Sequence, residues 1–223
     1  MRKPPLEQDV AGFHKARAEL AAALGIDPEL AAALAVGRFR DGRPIMSATS
    51  PQPRPDRNDF SFKDDREALV CPYQSHIRKT NPRGDLAAFI EGQDDASERM
   101  FRIARRGITY GSRPDLYPGA IMEPHSSGVG LLFMSYQHRL INFVIQQEGS
   151  DGDHFVRDDV GVDAVLGARF DPLTGVPQTP IAQKWPFENK PEGHRFVMAN
   201  FVRMLGGEYF FAPSRQFLVS LGK

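Results

Sequence analysis

Pro44, Pro51, Pro53 and Pro55 forbid a continuous helix or strand between residues 44 and 55. Each proline fixes its own φ, lacks an N–H donor and pushes the residue before it out of the helical region. Arg, Asp and Asn residues surround them, so residues 38–66 are expected to be mostly loop. A loop of this length in a compact domain is usually functional, or it wraps something. The chain has 223 residues, enough for one large domain or two small ones. Its regular elements must come from the stretches on either side of the loop.

Before the loop, residues 8–24 read as an amphipathic helix, with Val10, Phe13, Leu20 and Leu24 near helical spacing and Gly25 to end it. Asp27-Pro28 reads as an N-cap followed by proline at the first helical position, opening a short alanine-rich helix to Val36 that stops at Gly37. After the loop, residues 84–98 read as a polar excursion and 99–106 as a strand. The apolar run Val129 to Gln137 predicts one buried strand. Residues 138–148 follow as a helix, apolar around much of its circumference through Leu140, Ile141, Phe143, Val144 and Ile145, and therefore expected to be buried.

Residues 150–195 are rich in Asp, Gly and Pro and read as irregular. Gly206-Gly207 between Phe196–Leu205 and Glu208–Phe211 predicts a hairpin, and Ala212-Pro213-Ser214 opens a last short helix. A first strand within residues 1–6, an edge or truncated one because of Pro4 and Pro5, completes the order βαββαβ. That is the ferredoxin-like pattern, an α+β fold with an antiparallel sheet and helices on one face.

Lys+Arg and Asp+Glu both number 28, so the net charge is zero, which argues against a nucleic-acid binder and gives no attraction to anionic membranes. No run approaches the roughly 18 apolar residues of a membrane span, and the N-terminus carries no apolar signal segment. Cys71 is the single cysteine, so no intramolecular disulfide forms, and a reducing cytoplasm fits.

One stretch carries chemistry: Cys71-Pro72-Tyr73-Gln74-Ser75-His76-Ile77-Arg78-Lys79-Thr80-Asn81-Pro82-Arg83. It holds one histidine between two prolines, followed by a cluster of cations. An imidazole can ligate haem iron, and cations can pair with the propionates. On its residues alone, a hydrogen-bonded core histidine is the favoured reading of His76 over an iron ligand. His14, His125, His138, His154 and His194 match no ligand motif.

This stretch closely resembles the proximal haem-binding motif of the dye-decolourising (DyP-type) peroxidases. Leu6 to Val10, Val36 to Phe39, Arg105 to Gly111, Gly130 to Gln137 and Gly206 to Ser214 resemble further pieces of that family in the same order. The resemblance covers the C-terminal half of the family and implies a single ferredoxin-like haem-binding domain over residues 1–223. The family's N-terminal half, which ends in a Gly-x-x-Asp-Gly motif with the distal acid–base aspartate, has no counterpart here. Asp41-Gly42 has the dipeptide but not the spacing.

The resemblance implies a role for each of several residues. His76 is the axial ligand of haem b, and Asp163 is the carboxylate that bonds it; a surface-turn aspartate is the alternative. Arg105 is the distal arginine, whose guanidinium stabilises charge leaving on peroxide oxygen. Its alternative is a surface cation beside Arg102 and Arg106. Leu131 and Phe133 alternate on one strand face and line the distal pocket. Arg83 bonds a propionate; Arg78 and Lys79 either do the same or are merely exposed. Tyr110 and Trp185 are candidates for a radical relay, with simple packing as the alternative.

Two functions follow. One is a peroxidase using hydrogen peroxide and a small aromatic reductant such as a dye or phenol. The other is a non-catalytic haem-binding or interaction subunit. Either predicts a homodimer or a separate N-terminal half covering apolar surface.

Overall fold

The computed structural model describes residues 6–47, 58–111, 125–153, 157–169, 173, 174, 176, 178, 182–187 and 190–221. Strand β1 (Leu6–Gln8) leads into α1 (Val10–Leu24). Asp9 caps α1 by accepting the Gly12 N–H at 2.8 Å, and Gly25 ends it at φ +69°. Asp27 accepts the Glu29 N–H at 2.8 Å and opens α2 (Pro28–Val36). Gly37 ends α2 at φ +89° and also allows a close approach, since a Cβ there would overlap the Ile77 side chain. This contact seats the end of α2 against the residue next to His76.

Apart from a short 3₁₀ turn at Ile45–Ser47, the described part of residues 38–66 is irregular, as expected. Helix α3 (His76–Thr80) follows, then α4 (Asp85–Phe89) and α5 (Asp95–Arg99). The polar excursion at 84–98 is therefore partly helical. Asp94 caps α5 by accepting the Ser97 N–H at 2.8 Å.

Next come β2 (Ala104–Arg105), β3 (Ile108–Tyr110), β4 (Gly130–Leu132), β5 (Ser135–Tyr136) and α6 (Leu140–Asp151). Strands β6 (Gln183–Phe187) and β7 (Lys190–Phe196), β8 (Val202–Met204) and α7 (Arg215–Ser220) complete the chain.

The main sheet has the order β3-β4-β1-β8, and every neighbouring pair is antiparallel. With α1 after β1 and α6 between β4 and β8, this is the ferredoxin-like βαββαβ order. The first strand starts at Leu6, after the two prolines; residues 1–5 lie outside the described residues.

The single strand expected over 129–137 is two pieces. The ribbon runs in one register from Ala104↔Tyr136 to Tyr110↔Gly130, interrupted at Arg106-Gly107 and Phe133-Met134. Arg106 still donates to the Met134 carbonyl at 2.7 Å across the gap. Burial alternates along it: Leu131, Phe133 and Ser135 are half-buried, whereas Leu132, Met134 and Tyr136 are exposed.

Two further expectations are corrected. Helix α6 is not buried, with Leu140 59% and Ile141 51% exposed; among the described residues its buried positions are Asn142 and Ser150. The hairpin at Gly206-Gly207 does not form; β8 pairs with β1, and residues 205–214 are irregular. The hairpin is instead β6–β7, inside the stretch expected to be irregular, with Trp185 opposite His194 and a register shift between Trp185 and Phe187. Pro186 lies at that shift and has no N–H for the ladder.

The core gathers Leu20, Leu24, Leu34, Phe39, Phe62 and Trp185, with the alanines of α2 bringing the helices close. Each fully buried leucine contributes about 1.5–3 kcal/mol. Among the described residues no helix is long and apolar enough to cross a membrane.

Candidate functional site

The site is built where α3 meets the turn at Asp163. The Ala164 N–H donates to the Gln74 carbonyl at 2.9 Å, and the Gln74 side-chain amide donates to the Lys184 carbonyl at 2.8 Å. These bonds fix the loop before His76 against the segment that carries Asp163. His76 Nδ1 then lies 2.9 Å from Asp163 Oδ2.

Asp163 is fully buried. Its other oxygen, Oδ1, accepts the N–H groups of Val165 at 2.8 Å and Leu166 at 2.9 Å. Burial raises the pKa of this carboxyl. Its electrostatic interaction and hydrogen bond with His76, with the Leu166 and Val165 N–H groups, outweigh that and hold it below the ordinary value. An ionised Asp163 accepts a proton-bearing Nδ1, which leaves Nε2 of His76 with its lone pair. The His76 side chain is 18% exposed, so the ring is anchored by Asp163 without being closed off from its surroundings. This is the donor arrangement of a histidine ligand oriented by an outer carboxylate.

A group of cations gathers around Phe60. Arg83 and Arg38 both stack on Phe60, with guanidinium carbons 4.3 and 5.5 Å from the ring centre. Arg83 donates to the Asn58 carbonyl at 2.7 Å, and Arg38 to Asn58 Oδ1 at 2.6 Å. Burial, then Arg38 and Arg102, lower the Arg83 pKa; burial, then Arg105, lower that of Arg38. Arg105 thus joins the same positive field from β2, where it is exposed and faces Ser135 across the ladder. A cavity of about 210 Å³ opens beside Arg83, lined also by Phe60, Ser61, Glu98 and Arg102.

Leu131 and Phe133 share the half-buried face of their ribbon, and the Phe133 ring lies 6.4 Å from Phe143 of α6. Tyr110 donates its hydroxyl to the Leu6 carbonyl at 2.9 Å, tying β3 to β1 across β4.

Arg78 departs from its expected role. It is fully buried and its guanidinium is spent internally on Asp85, Asp65 and the Cys71 carbonyl, between the rings of Phe62 and Tyr73. No donor remains for a propionate. Lys79 is likewise turned inward, donating to the Gly152 carbonyl at 2.7 Å. Trp185 is fully buried, donates to the Phe196 carbonyl at 3.1 Å and is a core residue, without the surface access that a relay to a bulky reductant needs. Asp41 accepts the Arg43 N–H at 3.0 Å within its own turn. His154 lies outside the described residues.

Sequence reasoning missed Arg38, Asp65 and Asp85. The signal for the last two was available: an arginine inside a short, aromatic-flanked loop needs acidic partners once buried.

No protein-family model matches the chain. The multifunctional dye peroxidase DyP2 of Amycolatopsis sp. is 39% identical over 97% of this chain and 47% of its own length. A solved DyP-type peroxidase of Anabaena sp. superposes with a TM-score of 0.78 at 37% identity, over 98% of this chain and 44% of that one. This chain is homologous to DyP-type peroxidases. A further solved dye-decolorizing peroxidase, whose haem pocket was engineered for asymmetric sulfoxidation, matches with a TM-score of 0.67 at 26% identity, over 94% of this chain and 50% of its own. The chain spans less than half the length of the curated DyP-type relatives it matches.

Proposed function

We propose that this chain is the haem-binding half of a DyP-type peroxidase, reducing hydrogen peroxide and oxidising dye-like or phenolic substrates. The observation that carries the proposal is the 2.9 Å bond between His76 and a fully buried Asp163 whose two oxygens are both committed. A structural histidine has no need of so fixed a partner while its ring stays open to its surroundings.

In this reading His76 Nε2 holds the iron of haem b, and Asp163 keeps the ring in one tautomer and enriches it in electrons. Arg83 and Arg38, already stacked on Phe60, attract the propionates. Bound haem supplies the two-electron chemistry with peroxide. Arg105 would supply positive charge to stabilise negative charge developing on a peroxide oxygen. Leu131 and Phe133 limit water at that side. Tyr110 is the remaining candidate for passing an electron outward.

A general acid–base carboxylate, worth typically about 10²–10⁴-fold, would come from a separate N-terminal half or a homodimer partner. Ile108, Leu132, Met134 and Tyr136 give the sheet an exposed apolar face that suits such a partner. The same face favours the second reading, a haem-binding interaction subunit without turnover. A cytoplasmic location completes the proposal.

Peroxide-dependent dye oxidation by haemin-reconstituted protein, beside Arg105→Leu, tests it. Turnover that falls at least tenfold in the variant supports the peroxidase reading. Haem binding without turnover in either protein supports the interaction subunit.

A further inference from the structure

Lys79 lies three residues after His76 on α3, so the two side chains leave neighbouring positions of one short helix. It is only 9% exposed. Its ammonium donates to the Gly152 carbonyl at the C-terminal end of α6, at 2.7 Å. That end of α6 also receives the Asp163 N–H, at the Ser150 carbonyl, 2.7 Å away. A closed circuit results: His76 to Asp163, Asp163 to Ser150, along α6 to Gly152, and back through Lys79 to α3.

The charge at this junction is one-sided. Asp151, Asp153 and Asp163 all bear on Lys79 electrostatically. Asp151 is itself tied down, accepting the Ala168 N–H at 3.0 Å. The helix C-terminus adds the negative end of the α6 dipole. Lys79 is the cation that offsets this negative field behind the histidine. Burial lowers its pKa to about 8, against the pull of Asp163, Asp153 and Asp151, so it is still charged at neutral pH.

We propose that Lys79 is a positioning residue for His76, clamping α3 to the end of α6 and limiting how much negative charge Asp163 passes to the imidazole. This rests on the reading of His76 as a haem ligand. Removing the ammonium leaves the imidazole more electron-rich, which favours ferric over ferrous iron. Removing a carboxylate from the same junction does the reverse.

The test is the ferric/ferrous midpoint of the full chain reconstituted with haemin, in wild type, Lys79→Met, Lys79→Arg and Asp151→Asn. Lys79→Met is expected to raise the ferric-to-ferrous ratio at fixed potential by about tenfold, which is about 59 mV for a one-electron couple. Lys79→Arg should stay within about twofold of wild type, and Asp151→Asn should shift the other way. A purely mechanical clamp would not give shifts of opposite sign. An unchanged midpoint in Lys79→Met overturns the proposal. Should that variant fail to fold by circular dichroism, an unmoved or oppositely shifted Asp151→Asn overturns it instead. Wild-type protein without a Soret band overturns the haem reading as well, and so separates the two failures.

Discussion

Arg78 and Asp85 face each other through two parallel hydrogen bonds, Nε to Oδ2 at 2.8 Å and Nη2 to Oδ1 at 2.7 Å, with both side chains fully buried. Arg78 lies two residues beyond the candidate iron ligand, and the pair anchors α3 to the start of α4. Truncating one partner would leave a buried charge uncompensated. Asp85→Asn is therefore expected to cost about 3–5 kcal/mol, read as a lower urea midpoint. Arg78→Ala should unfold the loop rather than only weaken anion binding.

The carboxylate behind His76 makes a separate prediction. Asp163→Asn keeps the shape but offers an amide where an ionised acceptor stood. Haemin affinity is expected to fall about 10–100-fold, measured by titration of the Soret absorbance. Affinity equal to wild type would mean that Asp163 serves only its own turn.

Alkaline stability should carry two opposed signatures. Burial lowers the Lys79 pKa from 10.5 to about 8, so between those values the unfolded chain binds more protons and stability rises with pH. Burial raises the Cys71 pKa from 9.0 to about 12, so above pH 9 the folded chain holds the extra proton and stability falls. Wild type should gain stability from pH 8 to 9, stay level to about pH 10.5 and then decline. Cys71→Ala should go on gaining to about pH 10.5, by about 3 kcal/mol in all. Lys79→Met should show only the decline. Urea midpoints across pH 7–11 separate the three curves.

Arg43 is 1% exposed, yet none of its guanidinium nitrogens has a hydrogen-bond partner among the described residues. Asp41 lies 3.5 Å from Nε, and the Phe39 ring is 4.9 Å away. A buried cation so poorly satisfied costs more than a methionine of similar length. Arg43→Met is expected to stabilise the chain by about 1–4 kcal/mol in urea unfolding, without altering haem uptake.

The elements legible in the sequence were those with local signals. Asp9 and Gly25 bracket α1, and Asp27-Pro28 and Gly37 bracket α2, because caps and left-handed glycines act within a turn. What failed depended on distant partners. The β6–β7 hairpin hides among Asp, Gly and Pro residues, and its Trp185 is recognisable as core only once Phe196 and the helices surround it.

Helix α6 reads as buried because it is apolar on several sides, but nothing in a hydrophobic pattern says whether the covering surface belongs to the same chain. The site divides in the same way. His76 stood out through its loop, whereas Asp163 lies 87 residues away and was reached only through the family resemblance. Arg78, Lys79 and Arg83 look alike in sequence. Burial and partners alone separate a structural arginine, an inward lysine and the one cation of the three that stacks on Phe60.

The central claim is that His76, oriented by Asp163, is the axial ligand of a haem. Absorption spectra of the full chain titrated with haemin, beside His76→Ala, test it most directly. A saturable Soret band of one haem per chain in wild type, lost in the variant and restored by added imidazole, is the predicted result. A band of equal intensity and affinity in both proteins would contradict it.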